Sequence, residues 1–193
     1  MVYSSGRVVL AVFAAGAVFA LELCPVSHAA TCTLSGLSQP FSSWLDNARY
    51  ELAPGGDFES GNDGWTLSDG ASIVPGSEPY ASTGELGSSS LSLPQGSVAT
   101  SPPVCVAATY PSARFFIVGS GTVSVYVVYD GLPIPAGAAL GGEYWEPSPV
   151  MLTSGAVWGV LSGGSALVLL RFVASLGDVG VDDVWVDPWS RGG

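Results

Sequence analysis

Lysine is absent from this chain of 193 residues, and histidine occurs once, at His28. Schiff-base chemistry needs a lysine amine. Ser-His-Asp and Cys-His sites need an imidazole that takes a proton near neutral pH. Both classes lose their central residue once an N-terminal leader ending near His28 is removed. A zinc site of the usual kind needs His or Cys ligands, and there are only three cysteines, Cys24, Cys32 and Cys105. The glycine pair Gly141-Gly142 has neither the lysine nor the strand–loop–helix setting of a phosphate loop. Side-chain amides are also few: Asn47, Asn62, Gln39 and Gln95. Basic residues number five, all arginine, against 16 acids, which sets the formal charge at −11. Such a surface repels nucleic acid and anionic lipid. What chemistry remains is carboxylate chemistry.

The N-terminus reads as a secretory signal peptide over residues 1–30. A short segment with one arginine, Arg7, precedes the apolar run Val8 to Leu21 and the small-residue site Ser27-His28-Ala29, the order such leaders follow. Cleavage after Ala29 and after Ala30 fit equally well. A membrane span needs roughly 20 apolar residues, and Glu22 interrupts this one. The expectation is an exported chain, secreted or at the extracellular surface, with no membrane contact once the leader is gone. Its loss removes Arg7 and Glu22, so the balance stays at −11. It also removes Cys24, leaving Cys32 and Cys105 as an even pair in an oxidising compartment. One disulfide between them is the expectation.

The rest is punctuated by Gly, Ser, Thr and Pro at short intervals, with no long helical periodicity. Short β-branched and aromatic runs between turn signals point to an all-β, antiparallel two-sheet sandwich. It is expected over residues 52–189, preceded by an N-terminal arm over 31–51. Val123 to Tyr129 is the clearest strand, with Val123, Val125, Val127 and Tyr129 on one face and Ser124, Tyr126 and Val128 on the other. Ala113 to Val118 precedes it, and Gly119-Ser120-Gly121 predicts a hairpin between the two. Ser90 to Leu93 and Ser97 to Ser101 read as another pair around Pro94-Gln95-Gly96. Ala156 to Leu161 and Ala166 to Val173 read as strands joined by Ser162 to Ser165, and Gly180 to Asp187 as the last strand. Only Phe41 to Arg49 predicts a helical turn, with Ser43 and Asp46 spaced as a capping box.

Two acidic stretches stand out. Pro54 to Trp65, PGGDFESGNDGW, fails as a calcium-binding helix–loop–helix segment, because Asn62 occupies the position that needs glycine. Asn62-Asp63-Gly64 reads as a tight hairpin turn, with Phe58 and Trp65 as core anchors. The second stretch is Val181-Asp182-Asp183-Val184. Strict alternation puts Asp182 on the face of Val184 and Val186, and Asp183 with Trp185 and Asp187. An inward Asp182 requires a partner: Arg171, Arg114, or a hard cation with oxygen ligands, for which calcium is best suited.

Phe58-Glu59, Gly61, Gly64-Trp65 and the late Val181-Asp182-Asp183-Val184 resemble the two ends of a jelly-roll carbohydrate-binding module of the galactose-binding-like class. The resemblance implies that the first and last strands lie side by side with a structural calcium there, held by Glu59 and Asp182, with Asp57 and Asp183 as further ligands. The layout from Ser90 to Val106 and the Asp182-to-Pro188 ending are also similar to small exported actinobacterial proteins of unknown role.

Sugar-binding sandwiches stack pyranose rings on exposed aromatics. Tyr126, Tyr144, Trp145, Trp158 and Trp185 are the candidates for that role. The function this supports is a monomeric, non-catalytic module for a polysaccharide or cell-envelope glycan. One rival is a structural or adhesive protein without a glycan ligand. The other is a glycoside hydrolase built on two carboxylates.

Overall fold

The computed structural model describes residues 36–107, 112–153 and 165–187. Its regular structure is almost entirely strand. In chain order these are β1 (Glu51–Leu52), β2 (Thr66–Ser68), β3 (Ser72–Pro75), β4 (Ser89–Leu93), β5 (Val98–Thr100), β6 (Val104–Ala107) and β7 (Ser112–Gly119). They continue with β8 (Thr122–Tyr129), β9 (Leu132–Leu140), β10 (Glu146–Pro147), β11 (Met151–Leu152), β12 (Ser165–Leu176) and β13 (Val179–Asp187). One sheet runs β10-β7-β13-β4-β3, with β1 on β13 and β11 on β7; the other runs β2-β5-β12-β8-β9, with β6 on β12. The pairings are antiparallel.

The two sheets enclose one core. Phe115, Ile117, Val181, Val184 and Val186 of the first sheet meet Val123, Val125, Val127, Leu170 and Phe172 of the second. Val123, Val125 and Val127 therefore face inward as their alternation requires. Phe58 and Trp65 are buried in that core with ring centroids 5.1 Å apart.

Three turns read correctly as turns, but their role differs from the hairpin expectation. Gly119 to Gly121 connects β7 of one sheet to β8 of the other, and Pro94 to Gly96 connects β4 to β5, again across sheets. Asn62 to Trp65 closes a turn through the Trp65 N–H to the Asn62 carbonyl at 2.6 Å. It leads to β2, which pairs with β5 rather than with β1. Local turn chemistry is the same at a hairpin and at a corner between sheets. The difference is decided by which face of the next strand is apolar.

Ser165–Leu176 forms a single strand, so this part of the long apolar region is sheet. The expected strand Ala156 to Leu161 lies outside the described residues. No helix among the described residues is long and apolar enough to cross a membrane. In the arm, only Ser42–Trp44 forms a 3₁₀ turn, without a side-chain cap. Asp46 does not serve a capping box; its carboxylate accepts from the Ala48 N–H and the Tyr50 hydroxyl and pairs with Arg114.

The first and last strands do lie side by side. Glu51 and Leu52 pair with Val186 and Trp185, and the contact continues through Ala53 N–H to Val184 O and Val184 N–H to Gly56 O at 2.8 and 2.9 Å. A Cβ at Gly56 would sit 2.9 Å from the Val184 carbonyl and 3.0 Å from that of Ala53, both backbone atoms. Gly56→Ala is therefore expected to lower the unfolding free energy by about 1–3 kcal/mol, read from urea denaturation midpoints at an unchanged slope.

Candidate functional site

A loop of thirteen residues, Gly76 to Ser88, joins β3 to β4 and gathers most of the polar chemistry. Its far end is held by Glu59, whose carboxylate accepts from the Ser88 N–H and hydroxyl, both at 2.7 Å, and from the Ser89 N–H at 2.8 Å. Burial works against the Glu59 charge, but these donors lower its pKa. Asp57 accepts a long 3.4 Å bond from the Glu59 N–H. Glu59 thus fastens the start of β4, and Asp57 stays beside it.

The near end of the loop sits on β13, where the alternation breaks. Val181 and Val184 both point into the core, and the register to β7 shifts between Asp182 and Trp185. Asp183 takes a left-handed conformation, φ 46°. This is a β-bulge, and it removes Asp182 from the face shared by Val184 and Val186. The Asp182 carboxylate turns to the loop instead. It accepts from the Glu78 N–H and the Asp183 N–H, each at 2.9 Å, and bonds the Ser77 hydroxyl. Asp183 accepts from the Ser82 hydroxyl, which in turn accepts from the Trp185 indole at 3.2 Å. Glu78 accepts from the Tyr80 and Ser82 N–H groups.

Three buried carboxyl groups therefore meet here: Glu78, Asp182 and Asp183 are 2%, 0% and 4% exposed. Neither expected arginine reaches them. Arg171 lies on the second sheet with its Nε donating to Thr100 at 3.4 Å, and Arg114 is paired with Asp46 at 2.8 Å. Desolvation pushes Asp182 up to about 6, with the Glu78 charge adding and the hydrogen bonds opposing. It pushes Asp183 up to about 8, with the Asp182 and Glu78 charges adding. The bond to the Glu78 carboxyl also raises Asp183. Oxygen donors of this kind suit a hard cation. Among the described residues no three His, Cys, Asp or Glu side chains form a group that could hold a metal ion. Of the expected ligand pair, Glu59 accepts from Ser88 and Ser89, and Asp182 from Glu78 and Asp183; Asp182 also bonds Ser77, whose hydroxyl lies with Glu59 Oε1 beside Gly87.

Above this cluster the same loop presents an aromatic ring. Tyr80, 45% exposed, meets the Trp44 ring edge-on at 4.8 Å and the Phe116 ring at 5.4 Å. Its hydroxyl donates to the Trp145 carbonyl at 2.7 Å. Trp44 and Trp145 are half-buried, and Tyr144, next in sequence, is exposed. Three separate elements, the arm, the loop and the turn before β10, thus bring Trp44, Tyr80 and Trp145 to the outer face of the first sheet. Neither Tyr80 nor Trp44 stands out in the sequence.

The remaining candidates are dispersed. Tyr126 lies on the second sheet, directly across from Arg171. Trp185 is buried, packed with Phe41, Tyr50 and Phe116 beneath the arm. Trp158 and Cys32 lie outside the described residues; Cys105, on β6, is disulfide-bonded.

No family model matches the chain, and no curated protein matches it either. The fold is a jelly-roll β-sandwich. Solved structures similar to it include a family 61 carbohydrate-binding module in complex with β-1,4-galactotriose, at 15% identity, covering 72% of this chain and 100% of that one with a TM-score of 0.46. A family 28 module specific for non-crystalline cellulose is 13% identical over 71% of this chain and 94% of its own, TM-score 0.45. The C-terminal family 6 module of the laminarinase LamC from Zobellia galactanivorans is 10% identical over 70% and 96%, TM-score 0.44. These likenesses concern fold alone.

Proposed function

We propose that this chain is a non-catalytic carbohydrate-binding module whose ligand is a polysaccharide or cell-envelope glycan. The observation that carries the reading is the exposed Tyr80 ring, fixed by two aromatic neighbours and a hydroxyl bond within a patch that also holds Trp44 and Trp145, with the exposed Tyr144 next in sequence. A ring held in place loses little entropy when a pyranose stacks on it, and aromatic faces suit the C–H face of a sugar. The nearby carboxyls support the loop from below. Their burial favours binding over a two-carboxylate hydrolase. Export behind the 1–30 leader, pairing of Cys105 with Cys32 and a monomeric state complete the proposal.

Affinity electrophoresis through gels containing individual plant, algal and cell-wall polysaccharides tests it. Retardation by at least one of them is expected. Free migration in all of them would replace this reading with that of a structural or adhesive protein without a glycan ligand.

Calcium has a separate test. An ion at the Glu78–Asp182–Asp183 cluster would compete with the proton on Asp183, whose pKa is raised to about 8. If calcium is a resident ion, the melting temperature at pH 8 rises with added calcium and falls with chelator, since a ligand bound only by the folded state stabilises it. The hydrogen bonding described above leads to the opposite expectation, an unchanged melting temperature in both.

A further inference from the structure

A second site is built where the arm crosses the first sheet. A cavity of about 650 Å³ opens there, between arm residues 45–50 and the segment Pro149 to Leu152. The size is that of a small-molecule site. The arm that forms one wall is the part of the chain that the resemblance to carbohydrate-binding modules leaves uncovered.

Its floor is polar but already satisfied within itself. Arg114 pairs with Asp46 at 2.8 Å, donates twice to the Ser148 carbonyl at 2.8 and 3.0 Å, and lies 4.4 Å over the Phe41 ring. The Tyr50 hydroxyl donates to Asp46 at 2.7 Å. The Arg114 guanidinium and the Asp46 carboxylate cancel, and Asp187 is a second carboxylate of the lining. Asp187, at the edge, already has a partner. Arg114 still has N–H groups beyond those three bonds, and Ser112 adds a hydroxyl.

The walls are apolar: Leu45, Ala48, Pro149, Val150 and Leu152. Leu45 is 93% exposed and Leu152 61%. Leu45 also holds a left-handed backbone, φ 63°, a conformation that glycine or asparagine adopts at lower cost. A large apolar side chain kept there, at the lip of a cavity, gains nothing from the fold of the isolated chain.

We propose that this cavity binds a small uncharged molecule with an apolar ring or chain and a single hydroxyl or carbonyl group. The apolar part lies against Leu45, Val150 and Leu152, and the polar group meets the remaining Arg114 N–H groups. An anion is disfavoured by Asp46 and by the overall charge. A cation finds Asp46 paired with Arg114 and Asp187 already partnered. The site is separate from the Tyr80 patch and stands whether or not that patch binds a glycan.

Three probes that share one ring distinguish the chemistry: benzyl alcohol, benzylamine and benzoate, titrated into the full chain and followed by amide chemical shifts. Benzyl alcohol is expected to give saturable shifts at Leu45, Ala48, Ser112, Val150 and Leu152, with both charged probes binding at least about tenfold more weakly. Val150→Trp, which fills the cavity, should abolish the shifts. Leu45→Gly, at an exposed position where glycine suits the backbone, should keep the fold and weaken binding. Tyr80→Ala should leave the benzyl alcohol titration unchanged. Absence of saturable shifts with the unmodified chain overturns the proposal. So do shifts centred elsewhere, or benzylamine binding as well as the alcohol.

Discussion

Raising the pH from about 5 to about 8 is expected to destabilise this protein, the reverse of ordinary acid denaturation. The sign follows from the folded carboxyls on β13. Asp182 and Asp183 are raised from 3.8 to about 6 and about 8, so the folded state holds protons that the unfolded chain has released. Their favourable contribution is fully present below the unfolded value and is lost as pH rises through 6 and then 8. Each tenfold gain in proton affinity on folding corresponds to about 1.4 kcal/mol, so the pair is worth on the order of several kcal/mol, shared between linked titrations. Asp46 acts in the other direction. Burial opposes its charge, but bonds from Tyr50, Arg114 and Ala48 outweigh that burial and lower its pKa, so its contribution disappears only in strong acid. Melting temperature should therefore peak near pH 4–5 and decline to pH 8, as followed by circular dichroism. Asp183→Asn copies the protonated carboxyl and accepts the left-handed backbone. It should flatten the slope and raise the melting temperature at pH 8 by several degrees. A melting temperature that rises between pH 5 and pH 8 would show that the cluster is not held by protons.

Arg114→Met should cost about 3–5 kcal/mol, the usual loss when one partner of a buried ion pair is removed. The side chains of Arg114 and Asp46 are only 10% and 17% exposed. The change also takes both guanidinium bonds from the Ser148 carbonyl and the cation from above Phe41. Because Arg114 ties the arm to β7, amide exchange should quicken most over residues 41–50. Asp46→Leu added to Arg114→Met should restore part of the loss, since the stranded carboxylate is then gone. A cost below about 1 kcal/mol would mean that the Phe41, Tyr50 and Trp185 contacts hold the arm unaided. The Tyr50 phenol reports on the same network. Burial, the bond to Asp46 and its charge push its pKa well up.

The sequence made much of this visible, and its failures have physical causes. Val123 to Val127 alternates because one face is core and the other is not, so period-2 reading places it correctly; at Val128, which is buried as well, the alternation breaks. Phe58 and Trp65 are legible as anchors because bulky aromatics beside turn residues have few other places to go. Asp182 is legible as buried, yet its surroundings are not. Alternation assumes an unbroken strand, and the left-handed Asp183 inserts an extra residue that realigns Val184 with Val181. The partners of Asp182 then come from Ser77 and Glu78, about a hundred positions earlier in a loop without periodicity. Tyr80 and Trp44 are equally silent, because their meeting depends on the arm crossing the first sheet, which no local pattern encodes. Glu59 and Asp182, which the resemblance pairs, both fasten the loop Gly76 to Ser88, Glu59 through Ser88 and Asp182 through Ser77 and Glu78.

The most direct test is a paired titration of Tyr80→Ala and Tyr126→Ala with the polysaccharide that retards the unmodified protein. Tyr80→Ala is expected to lose affinity by about tenfold or more, equivalent to about 1.4 kcal/mol, while Tyr126→Ala binds as the unmodified chain does. Full affinity in Tyr80→Ala with loss in Tyr126→Ala would move the site to the outer face of the second sheet and contradict the account.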